Sequence, residues 1–366
     1  MSLLTNIIYI MKKTILSVLS ICSLGAFAQE AEVAVEETTV VEEIVEKISI
    51  SGFVDTYYRT NLTAPNDINP GIINPGTSFA NGTGFNLGTA NVVFAYDGEK
   101  VGFVADLAYG ERAAQGGASD NINQAYVYLN LSDKVTATMG KFNTFLGYEV
   151  IASSGNFNYS TSYLFSNGPF SHTGLKFDFQ VSEDFSLMGA IMNVTDKYGF
   201  TAVDPDTDLL TSDNDAMGAY GVGVQAGYKG QYLNFINHDT SAFYIDYTGG
   251  FQLADPFYLG INAAYHTDTD DDSGYYGVAL YPQVDINDKF SLGVRGEYFT
   301  TYTDGSDDDP SVIAGTVTAN YKVGNLRIVP EVRFDSWSNK DDAYIDNDGE
   351  PAESLGSFLL GAIYSF

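Results

Sequence analysis

The residues that could perform acid–base catalysis or bind a metal ion are sparse in this sequence. Its three histidines are His172, His238 and His266, and the last two lie close to aspartates, Asp239 and Asp268. Such pairs can transfer protons, yet no nucleophile motif and no zinc-ligand spacing accompanies them. We therefore expect that the protein is not an enzyme and that it holds no cofactor.

Carboxylates at alternate positions could bind a divalent cation. The clearest set is Asp268, Asp270 and Asp272, and further acidic clusters follow in other Asp- and Gly-rich segments. None of these segments fits the calcium loop of an EF-hand. Solvated acidic loops explain the same pattern, whereas divalent bridging to lipopolysaccharide or surface sugars is the more specific hypothesis. The sequence supports no more than a weak divalent site here.

Polar or charged residues recur at alternate positions in several long segments. Positions 327, 331, 333 and 335 carry arginine or an acidic residue, and they alternate with apolar residues at 326, 328, 332 and 334. Alternation with a period of two places one set of side chains on each face of a β-strand. The pattern continues from residue 48 onward, so an all-β protein with one apolar and one polar sheet face is predicted.

Three features favour a transmembrane barrel over a soluble sandwich. The alternating segments are roughly ten residues long, the length that a tilted strand needs to cross a bilayer. Short connections, such as 97–100, alternate with long ones rich in Asp, Asn, Gly and Ser, and aromatic residues such as Tyr57, Tyr109 and Tyr228 lie at segment ends. These features predict an antiparallel up-and-down barrel with short periplasmic turns, long extracellular loops and aromatic girdles.

The predicted number of strands is sixteen, with fourteen as the alternative if 231–238 and a neighbour are not strands. An even number leaves both chain ends on the periplasmic side, and sixteen strands enclose a lumen wide enough for water. The predicted strands are 48–58, 85–96, 101–110, 122–131, 135–145, 173–182, 185–195, 217–228, 231–238, 241–253, 257–266, 275–286, 290–301, 312–322, 326–336 and 355–366.

Strand parity assigns a set of charged residues to the lumen, because an Arg or Lys side chain facing lipid at mid-membrane costs about 2–4 kcal/mol. The arginines come from strands near the seam between the last strand and the first, whereas Asp106 and Asp178 come from the other wall. One interpretation is a transverse field that tunes solute passage, and the other is mutual salt bridging of buried charges. The predicted pore-lining charges are Asp55, Arg59, Asp106, Lys176, Asp178, Asp246, Arg295, Glu297, Arg327, Glu331, Arg333 and Asp335.

The connection 146–170 contains many aromatic residues and few charges. A mobile outer loop is not expected to hold so many aromatic side chains, so we predict that it folds into the barrel and narrows the pore. The alternative is a cap packed on the rim of the barrel. The candidates for the constriction are Tyr148, Glu149, Asn156, Asn158, Tyr159 and Tyr163.

The N-terminal segment predicts export. Residues 12–28 combine two lysines, an apolar stretch and Ala26-Phe27-Ala28, which is the pattern of a secretory signal peptide cleaved before Gln29. Met11 fits the natural start, so 1–10 is interpreted as an over-extended start. The predicted organisation is a signal peptide at 1–28, a disordered acidic periplasmic lead at 29–47 and a barrel at 48–366, with export through the Sec pathway.

Composition excludes two further classes. The chain of 366 residues has 47 acidic and 17 basic residues and a formal net charge of −30, so it would be repelled by a nucleic-acid backbone. Only 17% of the residues are charged and 45% are hydrophobic, which is not the composition of a disordered chain. After residue 28 no run of about 18 apolar residues occurs, so no membrane-spanning helix is predicted.

Two stretches carry a family resemblance. They are GFVDTYY at 52–58 and, more specifically, GKFNTFLGYEVIASSGNFNYSTSYLFSNGPFSHTG at 140–174. Together they resemble the putative beta-barrel porin-2 (OmpL-like) family of bacterial outer-membrane proteins. The resemblance implies an outer-membrane channel from a bacterium of the Bacteroidetes type.

The predicted function is passive diffusion of small hydrophilic solutes through a water-filled barrel. The final strand ends at Phe366 with aromatic and apolar residues at alternate positions, and it resembles the signal that the barrel-assembly machinery binds. Expected partners are this machinery, outer-membrane lipid, lipopolysaccharide and the solutes, and an oligomer is compatible with the sequence. The alternative is a non-conducting barrel that serves as a subunit of a larger outer-membrane complex or as a surface-interaction protein.

Overall fold

The fold was analysed in a computed structural model of the chain. The residues that the structure describes are 47–67, 73–115, 121–193, 202–203, 210–211, 220–237, 242–269, 272–306 and 309–366. The predicted signal peptide and all but the last residue of the acidic lead lie outside them.

Sixteen antiparallel strands form one closed barrel in which each strand pairs with its neighbours in sequence. The barrel closes where the last strand pairs with the first, from Phe53 opposite Ser365 to Asn61 opposite Ser357. The sixteen-strand prediction is confirmed, and the fourteen-strand alternative is wrong, because the segment predicted at 231–238 forms a barrel strand over Gln231–Asn237. The strands are β1 (Ser49–Asn61), β2 (Gly84–Asp97), β3 (Val101–Tyr109), β4 (Ile122–Ser132), β5 (Val135–Asn143), β6 (Ser171–Gln180), β7 (Phe185–Asn193), β8 (Tyr220–Tyr228), β9 (Gln231–Asn237), β10 (Ala242–Ala254), β11 (Phe257–Asp268), β12 (Ser273–Asn287), β13 (Phe290–Thr303), β14 (Ser311–Val323), β15 (Leu326–Ser338) and β16 (Ser354–Ser365).

The two faces of the barrel wall differ in polarity as the alternation predicts. On β14 the outward-facing Ile313 and Val317 are 67% and 56% exposed, whereas the inward-facing Thr316 and Thr318 are fully buried. An apolar outer face with a polar inner face is the arrangement that a lipid environment requires of a barrel.

One end of the barrel has short turns and the other has long loops. Lys229 and Gly230 connect β8 to β9 with φ values of 51° and 76°. Two successive positive φ values give the turn the twist of the strands that it joins, and glycine takes this conformation without strain. The loops at the other end contain helix α1 (Glu111–Gln115) and two short ribbons that are not part of the barrel sheet, which pair Ala202–Val203 with Leu210–Thr211 and Tyr344–Ile345 with Pro351–Ala352. Helix α2 (Tyr163–Asn167) and a 3₁₀ turn at Ser153–Gly155 belong to the connection between β5 and β6.

Aromatic residues at strand ends divide between the two faces. Tyr109 and Tyr228 face outward and are more than half exposed, which fits the predicted girdles. Tyr57 was expected in a girdle but faces the lumen, where its side chain is 3% exposed and its hydroxyl donates a 2.5 Å hydrogen bond to Glu111. The reason is parity, because Tyr57 shares the inner face of β1 with Asp55 and Arg59.

Within the described part of the chain, no helix has both the length and the apolar character needed to cross a membrane.

The outward side chain at the centre of β14 provides a test of the lipid-facing assignment. Val317→Arg places a charge against lipid at mid-bilayer and is expected to lower the free energy of unfolding by about 2–4 kcal/mol. Val323→Arg, at the end of the same strand, is the matched control and should cost about 0–1 kcal/mol. Guanidinium titration of the protein in lipid vesicles measures both, and equal losses would contradict the assignment.

Candidate functional site

The connection between β5 and β6, residues 144–170, lies inside the barrel; we call it the inner loop. Its residues Tyr159, Thr161 and Ser162 have no exposed surface, and Leu164 is 1% exposed. A loop on the rim would leave such residues in contact with water. Their burial results from contacts with inward-facing side chains of β13, β14 and β15, and with neighbouring loop residues.

Two glutamates of the barrel wall bind backbone amides of the inner loop. Glu331 accepts hydrogen bonds from the amides of Tyr159 at 2.9 Å and Ser160 at 3.2 Å, and also from the Ser160 hydroxyl. Glu297 accepts from the amides of Tyr163 and Leu164, both at 2.9 Å. The latter amides open helix α2, where backbone N–H groups have no partner within the helix.

Arginines of the same wall bind backbone carbonyls of the inner loop. Arg327 donates to the carbonyls of Asn156 at 2.8 Å and Ser153 at 2.5 Å. Arg333 donates to the carbonyl of Thr161 at 2.8 Å. Backbone polar groups buried away from water need such partners. The wall therefore supplies carboxylates for the amides of the loop and guanidiniums for its carbonyls.

Arg295 binds both a side chain and a backbone carbonyl of the inner loop. Its guanidinium contacts the Glu149 carboxylate at 2.7 Å and donates to the Ser160 carbonyl at 2.7 Å. Glu149 in turn accepts from the Ser162 amide at 2.7 Å. Arg295 and Glu149 are 0% and 3% exposed as side chains, so this ion pair is screened little by solvent.

Helix α1, in the loop after β3, contributes a further arginine. Arg112 donates to the carbonyl of Tyr159 at 2.5 Å and lies 3.5 Å from the Asp55 carboxylate. The guanidinium also lies over the rings of Phe79 and Tyr159, 4.8 and 4.9 Å from their centroids. Sequence parity could not find Arg112, because it is not on a strand.

The arginines on this side of the barrel lie beside carboxylates or backbone carbonyls. Arg333 pairs with Asp335 at 2.7 Å, and Arg59 donates to the carbonyls of Ile73 and Asn81 in the loop after β1. We call the inward faces of β13–β16 and β1 the anchoring wall. The arginines and carboxylates on this wall and on the loops that contact it are Arg59, Arg112, Arg295, Arg327 and Arg333, and Asp55, Glu111, Glu149, Glu297, Glu331 and Asp335.

The remaining predicted pore-lining charges lie on the other side of the lumen. Asp246 on β10 accepts from the Asn234 and Asn262 amides at 2.6 and 2.5 Å, and from the Gly147 amide at 3.1 Å. It therefore fixes the start of the inner loop. Asp106 on β3 accepts from three amide side chains at 2.5–3.1 Å, and on β6 Lys176 pairs with Asp178 at 2.6 Å.

The six predicted constriction residues all contact the lumen wall or the loop itself. Tyr148 stacks on Tyr281 with centroids 4.3 Å apart, and Tyr163 stacks on Phe299 at 5.8 Å. Asn158 donates to the Thr318 hydroxyl at 2.6 Å. Asn156 instead bonds the backbone of Val150 in both directions and shapes the loop. Glu149 pairs with Arg295, and the Tyr159 amide donates to Glu331.

Among the described residues, cavities adjoin the inner loop, and three of them have volumes of about 400–430 Å³. The first, of about 430 Å³, lies on the side of β4–β8 and is lined by Tyr126, Lys176 and Asp178 among others. The second, of about 400 Å³, lies between the inner loop and β8–β11. The third, of about 420 Å³, lies between the loop and Tyr281, Gln283 and Arg327. The loop therefore leaves open space beside it within the barrel.

The candidates for catalysis and metal binding are spread over the molecule. His172 shares a 2.9 Å hydrogen bond with Thr144, and His266 stacks on Tyr275 with centroids 5.0 Å apart. Asp268 and Asp272 border the β11–β12 turn, whereas Asp270 and His238 lie outside the described residues. Among the described residues, no group of three or more metal-ligating side chains could hold an ion.

Comparison with known proteins identifies a matching family and solved structures that share the fold. A family model described as putative beta-barrel porin-2, OmpL-like, matches residues 47–366. No curated protein matches the chain.

Solved structures share the fold at low identity. The channel DcaP of Acinetobacter baumannii is 15% identical with a TM-score of 0.53, covering 87% of this chain and 97% of that one. An anion-selective porin from Comamonas acidovorans is 10% identical with a TM-score of 0.54, covering 87% and 99%. OmpT of Vibrio cholerae, described as a trimer form, is 11% identical with a TM-score of 0.52, again covering 87% and 99%.

The buried pair of Arg295 and Glu149 provides a test of how the loop is held. Arg295→Met leaves the Glu149 carboxylate buried without its cation and is expected to lower the free energy of unfolding by about 3–5 kcal/mol. Adding Glu149→Leu should recover part of this loss, because it removes the uncompensated charge. Denaturant titration in micelles measures the free energy of unfolding of the two single variants and the double variant.

The exposed pair Lys229–Asp184, 3.4 Å apart, is the control, for which near-additive effects are expected. Additivity at Arg295 and Glu149 as well would contradict the buried coupling.

Proposed function

The chain belongs to the putative beta-barrel porin-2, OmpL-like, family of outer-membrane porins, and we propose that it allows small hydrophilic solutes to diffuse passively across the bacterial outer membrane. The observation that supports this most directly is the row of cavities, each of about 400–430 Å³, that remains in the polar lumen of a closed sixteen-stranded barrel. Channel function requires no catalytic group, and we propose none.

We propose that the inner loop is the constriction of this channel. The anchoring wall holds it by hydrogen bonds to buried carboxylates and guanidiniums. The charges of that wall thus position the loop, while Lys176 and Asp178 of the opposite wall line an open cavity. A transverse field across the lumen is correspondingly weaker, because the arginines of the anchoring wall lie beside carboxylates whose charge opposes theirs.

A second candidate function is a non-conducting barrel that serves as a subunit of a larger outer-membrane complex or as a surface-interaction protein. The observation that favours it is the filling of the loop end: Phe79, Tyr159 and Leu164 are at most 1% exposed within the barrel. Planar-bilayer recordings distinguish the two functions, because only the porin conducts ions in steps of fixed size.

Further parts of the assignment are proposals about the cell. Export through the Sec pathway is supported by residues 12–28, and recognition by the barrel-assembly machinery is supported by the final strand ending at Phe366. Contacts with lipid and lipopolysaccharide are supported by the apolar outer face and the acidic loops. A trimer is supported by the solved relative described in that form. A weak divalent site at Asp268, Asp270 and Asp272 stays a proposal.

Deletion of 150–166 is expected to raise the single-channel conductance, because it removes the part of the inner loop that crosses the lumen. A deletion of similar length in the proposed periplasmic lead, 31–46, is the control and should leave the conductance unchanged. Planar-bilayer recordings of both variants and of the parent chain measure the effect. Unchanged conductance after deletion of 150–166 would overturn the constriction.

The mature protein is expected to begin at Gln29, because signal peptidase cleaves after Ala-x-Ala. Mass spectrometry of the protein extracted from outer membranes determines its N-terminus. Ala28→Arg, which places a large charged residue at the cleavage site, should leave the precursor uncleaved. An unchanged N-terminus in this variant, or a first residue inside 1–28 in the parent chain, would contradict the assignment.

A further inference from the structure

The three cavities adjoin one another along one side of the inner loop. Asn143, Phe145 and Gln225 line both the first and the second cavity. Tyr148 and Glu149 line both the second and the third. Shared lining residues place the three cavities next to one another, and we call this series of cavities the lumen track.

Each charged group along the lumen track already has a partner. Lys176 pairs with Asp178 at 2.6 Å, and Asp97 accepts a hydrogen bond from the Tyr128 hydroxyl. Glu149 is held by Arg295, and Arg327 donates to two carbonyls of the inner loop. An ionic solute would have to compete with these internal partners, whereas a neutral solute would leave them intact.

Polar groups that can both donate and accept hydrogen bonds line the track. The amides of Gln124, Asn143 and Gln225 and the hydroxyl of Thr138 face the first cavity. An amide offers both a donor and an acceptor, so each of these side chains can bond to a hydroxyl of a solute in the cavity.

Aromatic rings accompany these polar groups in every part of the track. Tyr126 and Phe145 line the first cavity, Tyr258 lines the second, and Phe157 and Tyr281 line the third. A sugar ring presents C–H groups on its faces and hydroxyls around its edge. Its faces can pack on aromatic rings while its hydroxyls bond to amides, which is how a polar pocket with apolar walls orients a ligand.

We propose that the lumen track is a binding path for neutral sugars. This proposal rests on the proposed channel function and names its substrate class. The track would take a mono- or oligosaccharide whose rings lie against the aromatic side chains, with Asn143, Gln225 and the Lys176–Asp178 pair bonding its hydroxyls.

The experiment measures block of the ion current by maltose in planar bilayers. Maltose is expected to reduce the conductance with a saturating concentration dependence. Polyethylene glycol of the same hydrodynamic size, which has ether oxygens but few hydroxyls, should lower the current only as it lowers the conductivity of the solution. A linear effect of maltose equal to that of polyethylene glycol would overturn the proposal.

Two variants and two sugars make the test specific. Tyr126→Ala is expected to raise the half-blocking maltose concentration about three- to tenfold, the effect of losing one ring contact. Tyr298→Ala, on the lipid face of β13, is the control and should leave it unchanged. Galactose should block at a lower concentration than its carboxylate, galacturonate. Equal half-blocking concentrations for Tyr126→Ala and the parent chain, or tighter block by galacturonate, would overturn the proposal.

Calorimetry separates this proposal from the channel function. A protein that never conducts would refute the porin function, yet maltose titrated into the detergent-solubilised protein would still report binding to the track. Heat that saturates in the parent chain and weakens in Tyr126→Ala supports the sugar path, and an absence of binding heat overturns it.

Discussion

A peptide segment inside a closed barrel must find a partner for each of its backbone polar groups, and the rest of this lumen follows from that constraint. The inner loop cannot pair with strand edges, because a closed barrel has none to offer. Side chains of the wall act in their place. Glu331 and Glu297 accept from its amides, while Arg327 and Arg333 donate to its carbonyls.

The same constraint explains why the charges are concentrated on one wall. A carboxylate that binds loop amides would remain an uncompensated buried charge without an arginine nearby. Asp335 beside Arg333 and Glu149 beside Arg295 show this coupling at 2.7 Å each. With the anchors gathered on β13–β16 and β1, the loop lies toward that side. Two of the remaining cavities lie along β4–β11 and the third extends to β12 and β15, and amides, hydroxyls and aromatic rings predominate in their lining.

The strands were predictable because parity is a local property that the sequence displays directly. Alternation along β14 and β15 gave both the strands and the inward direction of Arg327, Glu331, Arg333 and Asp335, since a one-residue slip would turn these charges toward lipid. The partners of these charges were not predictable. The inner loop has no period, so nothing in its sequence shows that the Tyr159 amide faces Glu331. Arg112 was missed for the same reason, because the five-residue helix that carries it lies outside every alternating segment.

The separation in sequence between the inner loop and its anchors also sets an order of assembly. Glu297 and Glu331 lie 133 to 172 residues beyond the loop amides that they bind, and such distant contacts form late in folding. The loop precedes eleven of the sixteen strands in the chain, and the glutamates that bind it lie on β13 and β15. The loop can reach its bonded position only once these two strands are in place. Ordering of the inner loop thus depends on completion of the wall.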